Sequence, residues 1–278
     1  VGDSNLETVT IDPYSIHFSA TASSDAGHRR KINEDAFVSE PMIYAVADGM
    51  GGHESGEKAS RAVVRALVRD LAGTTPVRAS AVVESIRAAH RVVMEIGEPG
   101  TVSGTTLSGV VLVADEGDQA LRWMVVNVGD SRVYEWSDSA LSQISVDHSA
   151  VQELVDSGAI SAAEAESHPE RNVVTRALGI EDYSEPDVWL MPLRDHQTFV
   201  ICSDGLTKEL SDGQIADVLR LDGENPARQL VSAALSRGGR DNVTVVVVSV
   251  RVERTDGEAD PQLLGTEYSE DTAPRRDS

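Results

Sequence analysis

A single cysteine stands among the 278 residues, so no internal disulfide can form. A reducing compartment fits such a chain best, and the cytoplasm is the expected location. Aromatic residues make up only 4%, which leaves Val, Ala, Leu and Ile to fill the core. Basic side chains are scarce as well: 24 Lys and Arg against 46 Asp and Glu give a net charge of −22. That balance excludes the broad cationic face a nucleic-acid binder needs and disfavours adhesion to anionic membranes. The longest apolar run, residues 243–248, is interrupted by Thr244 and has the length of a strand, well short of a membrane span. No nucleic-acid partner, and no membrane segment within this chain, is expected. Internal repeats are absent, and a monomer is expected.

The remaining composition is that of a folded domain. Apolar residues reach 40%, and surface scaling at this length buries roughly 73% of the unfolded area, so a large core forms without covalent staples. Residues 14–20 alternate apolar and polar, the period of a half-buried strand. Further β-rich runs cover 42–47, 105–114, 121–128, 132–136, 198–202 and 243–250. Ala59, Ala62, Val63, Ala66, Leu67 and Leu71 recur at helical spacing on one face. A second stripe runs through Ala79, Val82, Ile86, Ala89, Val93 and Ile96, with Thr75 and Pro76 as its predicted cap and first position and Gly97 as its stop. Two consecutive helices followed by neighbouring strands predict antiparallel sheet covered by helices, an α+β fold. Residues 149–179 hold short helical pieces at 151–157 and 161–167 and read as an insertion over one face. The division expected is an N-terminal arm over 1–11, a main domain over 12–252 and an acidic, disordered tail over 253–278, the last with eight acids against three Arg.

Apolar strands repeatedly end in an aspartate beside a glycine. Residues 44–47 run into Asp48-Gly49, 125–128 into Gly129-Asp130, and 199–202 through Ser203 into Asp204-Gly205; Asp241 precedes the final strand, and Glu34-Asp35 precedes residues 36–38. Asp-Gly alone is a turn dipeptide. Strand ends of one sheet share a rim, however, and convergent carboxylates cannot all stay ionised without cations. All-oxygen ligands select hard divalent ions such as Mg²⁺ or Mn²⁺, and two adjacent metals suit phosphoryl displacement. Other patterns fail. Residues 51–58 lack the register of a P-loop, and Cys202 has Lys208 where a cysteine-nucleophile phosphatase loop needs Arg.

Asp25-x-Gly27-x-x-Arg30-x-x-Asn33-Glu34-Asp35 resembles the opening motif of the metal-dependent type 2C serine/threonine protein phosphatases. Asp48-Gly49-Met50-Gly51-Gly52-His53 resembles their second motif in its bacterial form. Ser103-Gly104-Thr105-Thr106, residues 128–132, residues 203–206 and residues 240–244 are similar to the later motifs, in the same order. The resemblance implies a four-layer sandwich, with two antiparallel β-sheets packed between pairs of α-helices, and a centre of two Mn²⁺ or Mg²⁺ ions with a weaker third. It implies that Asp48 bridges both metals, that Asp204 and Asp241 hold one, and that Glu34 and the Gly49 carbonyl reach the other, partly through water. Asp35 becomes the neighbouring acid, Asp130 with Asp204 the third site, and Arg30 the phosphate ligand. The implied reaction is hydrolysis of phosphoserine and phosphothreonine by a metal-bridging water, in bacterial signalling, on phosphorylated proteins such as serine/threonine kinases and their substrates. The insertion resembles a flap beside the site. Met50 stands where the eukaryotic branch has a histidine acting as general acid, which leaves His53 as a candidate proton donor. The rival reading is a catalytically inactive scaffold of the same fold that binds phosphoproteins.

Overall fold

The computed structural model describes residues 5–51, 54–73, 75–96, 103–114, 120–165, 167–180, 185–221 and 223–256. One six-stranded sheet runs in the order β1 (Asn5–Ile11), β2 (Tyr14–Asp25), β12 (Val243–Arg254), β11 (Gln197–Cys202), β8 (Arg132–Ser137) and β9 (Ala140–Gln143). The second runs β10 (Asp187–Pro192), β7 (Leu121–Val128), β6 (Leu107–Ala114), β4 (Ile43–Gly51) and β3 (Asp35–Glu40), with β5 (Ser103–Thr105) paired to the end of β4. Neighbouring strands in both sheets pair antiparallel.

The sheets face one another across a core of Ile16, Phe18, Tyr44, Trp123, Phe199 and Val246. The few aromatics are concentrated here. Trp123 lies 5.4 Å from Phe199 and 6.3 Å from Phe18 between ring centroids, both edge-on, a geometry that adds to their area burial. Helices α1 (Ser55–Leu71) and α2 (Ala79–Met94) cover the outer face of the second sheet through Val63, Leu67, Ile86 and Val93. On the other side α5 (Asp204–Thr207), α6 (Asp212–Leu219) and α7 (Pro226–Arg237) seat Leu206, Ile215, Leu230 and Ala234 on Val200, Val245 and Val247. The result is the four-layer α/β/β/α sandwich. Central strands are covered on both faces, which is why residues 243–248 are almost wholly apolar where a one-sided strand would alternate.

Three expectations change. Residues 5–11 of the expected N-terminal arm form edge strand β1, paired with β2 along its whole length. Thr75 and Pro76 do not start α2. Val77 instead makes a parallel bridge to Val113 and accepts a hydrogen bond from Ala114 N at 2.9 Å, so the helix begins two residues later. The last strand runs to Arg254, past the expected boundary at 252, and Thr255 N bonds Pro13 O. Gly97 and residues 257–278 of the predicted tail lie outside the described residues. No described helix is long and apolar enough to cross a membrane.

Candidate active site

The acids gather because strand ends of both sheets meet at one rim. Asp35 and Asp48 are direct partners across β3 and β4. Asp130 sits in the turn that carries the chain from β7 to β8, hence from one sheet to the other. Asp204 follows β11 and Asp241 precedes β12. Side chains then stitch the sheets together. Ser203 Oγ donates to Asp35 Oδ2 at 2.8 Å, and Glu34 N donates to Asn242 Oδ1 at 2.9 Å. Asn242 also donates to the carbonyls of Ala26 and Ile32.

The threonine motif has a positioning task. Asp48 N donates to Thr106 Oγ1 at 2.9 Å, while Thr106 N and Thr105 Oγ1 donate to Asp48 O. Thr106 Oγ1 in turn bonds Ser131 Oγ at 2.8 Å. Asp48 is therefore fixed through backbone and hydroxyls, leaving its carboxylate at the rim. Gly49 is required by close approach: a Cβ there would come within 2.2 Å of Gly56 O and 2.6 Å of Glu34 O. Gly27, at φ +73°, adopts a turn that L side chains avoid and lies against Asp241 O.

The electrostatics are those of crowded carboxylates. Burial, with Asp204 and Asp241 nearby, pushes Asp35 up to about 7 despite hydrogen bonds from Thr244 and Ser203. Burial and Asp204 likewise push Asp130 to about 7, against the charge of Lys208. Asp48 is raised well above the ordinary range by burial and by Asp35, Asp204 and Asp130. Burial raises Asp204 and Glu34 as well, with Lys208 and Arg30 respectively offsetting part of it. Asp241 departs from this pattern. Burial would raise it, but the hydrogen bond from Arg30 and the charges of Lys208 and Arg30 hold it below the usual value.

Two cations stand among these acids. Lys208 pairs with Asp204, its i−4 neighbour, and lies 3.3 Å from Asp241 Oδ2. Arg30 Nε lies 2.8 Å from Asp241 Oδ1 and its Nη2 donates to Oδ2 at 3.0 Å. Arg30 Nη1 has no partner among the described residues. The carboxylates are drawn toward these cations, and among the described residues no three His, Cys, Asp or Glu side chains form a ready-made metal cage. Even so, Glu34 Oε1, Asp35 Oδ1 and Asp204 Oδ1 are buried without any hydrogen-bond partner. An orphaned buried acceptor costs its full desolvation, about 1–3 kcal/mol and more when charged. A hard divalent cation satisfies such oxygens, so the donor set fits one.

All the predicted residues thus meet at this rim: Arg30, Glu34, Asp35, Asp48, Gly49, Asp130, Asp204 and Asp241. His53 lies outside the described residues. Met50 pairs with Gly104 across β4 and β5. Cys202 is fully buried, and burial pushes its thiol up to about 12, which leaves it unreactive. Sequence reasoning gave no site role to Lys208, although its i+4 spacing from Asp204 was visible, nor a supporting role to Ser203, Asn242 and Ser131, which lie inside the quoted motifs. The inserted segment, with α3 (Ala150–Asp156) and α4 (Ala162–Ala165), returns to the sheet at Leu178, which exchanges two backbone hydrogen bonds with Thr105.

A family model described as Protein phosphatase 2C matches residues 25–240. The serine/threonine protein phosphatase PstP of Mycobacterium tuberculosis is 36% identical over 255 residues, which are 90% of this chain and 48% of that protein. The chain therefore spans about half the length of that curated relative. The serine/threonine phosphatase stp of Listeria monocytogenes is 33% identical over 240 residues, 81% of this chain and 93% of the relative. Among solved structures, the PPM Ser-Thr phosphatase MsPP from Mycobacterium smegmatis, in complex with cacodylate, superposes with TM-score 0.74 at 37% identity, covering 83% of this chain and 97% of that one. The catalytic domain of PstP in complex with two manganese ions gives TM-score 0.72 at 35% identity, covering 85% and 99%.

Proposed function

Because this chain belongs to the protein phosphatase 2C family, we propose that it hydrolyses phosphoserine and phosphothreonine in phosphorylated proteins, with serine/threonine kinases and their targets as the substrates. The observation that carries the reading is the rim of raised carboxylates in which Glu34 Oε1, Asp35 Oδ1 and Asp204 Oδ1 lack partners. Burial of such oxygens costs stability unless a cation offsets it, which supports a metal-dependent site.

Glu34, Asp48, Asp204 and Asp241, with the Gly49 carbonyl, are the residues that would hold two Mn²⁺ or Mg²⁺ ions. Asp130 with Asp204 would hold a weaker third. Such ions supply Lewis acidity to phosphoryl oxygens and lower the pKa of water. The protein's own part is positional. Thr105 and Thr106 fix Asp48, and Ser203 holds Asp35 in place. Arg30, half exposed and gripped on one side by Asp241, keeps Nη1 for a phosphate oxygen. Met50 carries no exchangeable proton, so the leaving hydroxyl must draw its proton from another group.

Hydrolysis of a phosphothreonine peptide and of an aryl phosphate, measured with Mn²⁺, with Mg²⁺ and with excess chelator, tests this. Turnover with metal and none with chelator is expected; full turnover in chelator overturns the reading.

A further inference from the structure

In a chain of net charge −22, residues 28–31 read His-Arg-Arg-Lys, and all four are exposed. They form the loop that ends on the candidate site, since Arg30 reaches Asp241 from it. The loop is pinned along its length. Gly27 lies against Asp241 O, His28 N donates to Gly239 O at 2.7 Å, and Asn242 Nδ2 donates to Ile32 O at 3.0 Å. The His28 ring lies 3.2 Å from Leu235 O. The cations are thus held on a fixed edge. Arg30 has an acidic partner, and Arg240 across the loop has Glu209. Arg29 and Lys31 have no hydrogen bond or ion pair among the described residues. Of the nearby acids, Asp241 and Asp204 are held by Arg30 and Lys208, and Glu209 is bonded by Arg240 and also feels the charge of Arg29.

We propose that Arg29 and Lys31 form a specificity edge that selects phosphopeptides carrying acidic residues, or a second phosphate, within about three positions of the phosphoresidue. The inference rests on the phosphatase reading and names its substrate class. If Arg30 takes the phosphoryl group, its chain neighbours lie about 3.8 Å away at Cα, while an extended peptide advances about 3.3 Å per residue. Flanking side chains of the substrate therefore fall within reach of Arg29 and Lys31. The protein's overall negative field favours basic peptides at long range, but screening limits that field to about 8 Å at physiological ionic strength. Within that radius Arg29 and Lys31, which make no hydrogen bond or close ion pair among the described residues, place two cations at this edge, Arg29 also feeling the charge of Glu209. An exposed ion pair of this kind changes affinity about two- to fivefold.

Three phosphothreonine peptides with acidic, neutral and basic flanks, and p-nitrophenyl phosphate, are to be compared at 0.15 M salt on the wild type and on Arg29→Glu/Lys31→Glu. The wild type is expected to rank acidic over neutral over basic in kcat/KM, by about two- to fivefold per step. The double variant is expected to reverse the order while hydrolysing p-nitrophenyl phosphate at the wild-type rate. Equal rates on the three peptides, or the same order in the variant, overturn the specificity edge while leaving the phosphatase reading intact. Absence of turnover on all four substrates with metal present overturns that reading and this inference with it.

Discussion

Asp130 and Arg132 are two residues apart, yet their surroundings are opposite in kind. Arg132 turns to Asp147, with Nη2 2.7 Å from Oδ2 and Nε 2.9 Å from Oδ1, and its Nη1 donates to Tyr134. Next to that pair, His148 accepts from Gly129 N through Nδ1, and its Nε2 lies 3.1 Å from Asp187 Oδ2, while Arg176 Nη1 donates to Asp187 Oδ1 at 3.0 Å. Each charge at this base of the inserted segment has its counter-charge in the same chain. Asp130 instead faces Asp204 and is pushed to about 7 by burial and by that neighbour. One region closes its electrostatics internally and so holds the fold. The other leaves carboxylates opposing carboxylates and so needs something from outside. Buried charge alone does not mark a functional site; buried charge without a partner does.

The comparison breaks most sharply at Asp48. Asp48→Asn should cut hydrolysis by more than about a hundredfold, beyond the effect of losing a group that only supports a metal ligand. Its melting temperature in chelator should not fall, because removing a charge from a crowded rim relieves repulsion. Calorimetric Mn²⁺ titration with parallel melting curves checks both; wild-type turnover at saturating metal would make Asp48 a turn residue.

At the base of the inserted segment the effect should be on stability. Arg132→Met strands Asp147, a carboxylate only 10% exposed, and should cost about 3–5 kcal/mol in urea unfolding. Arg132→Met/Asp147→Leu should recover most of it. A loss as small as that of a surface pair would show that this region is not held by its charges.

Arg30 belongs to the rim but is half exposed. Arg30→Ala should raise the Michaelis constant about tenfold to a hundredfold, from about 1.5–3 kcal/mol of charge-assisted bonding, with metal affinity nearly unchanged. Arg30→Lys should recover only part, since an ammonium cannot make a forked contact. An unchanged Michaelis constant would move the phosphate pocket elsewhere.

The smallest effect is a pH drift. Asp35 and Asp130 have folded values raised to about 7, so between about pH 4 and 7 the folded state binds more protons than the unfolded one. Stability from these groups is therefore complete below about pH 4 and is lost as pH rises toward 7. In chelator, Asp130→Asn should match wild type at low pH and gain on it steadily up to pH 7. Parallel curves would show that the rim carboxylates are not mutually strained.

Strand β7 was legible to the residue, because an apolar run bounded by polar turns leaves no other option, and the stripes of α1 and α2 were plain for the same reason. β10 was not: Asp187 and Pro192 at its ends leave only four apolar residues, with no alternation, between them. α6 and α7 were overlooked despite real signals, a Ser211/Gln214 capping box and Asn225 before Pro226. The similar signal at Thr75-Pro76 failed because Val77 found a partner in Val113.

The sequence by itself determined which acids would end strands, since Asp-Gly after an apolar run is local chemistry, and their order along the chain carried the family resemblance. Only the tertiary structure decided which charges are closed pairs and which are open. That Arg132 meets Asp147, that Lys208 and Arg30 share Asp241, and that Glu34, Asp35 and Asp204 keep oxygens without partners are all consequences of two sheets meeting at one rim. Counter-charge is a matter of ångströms in space, and Arg30 and Asp241 are brought within those ångströms by the pairing of β2 with β12, although they stand 211 residues apart in the chain.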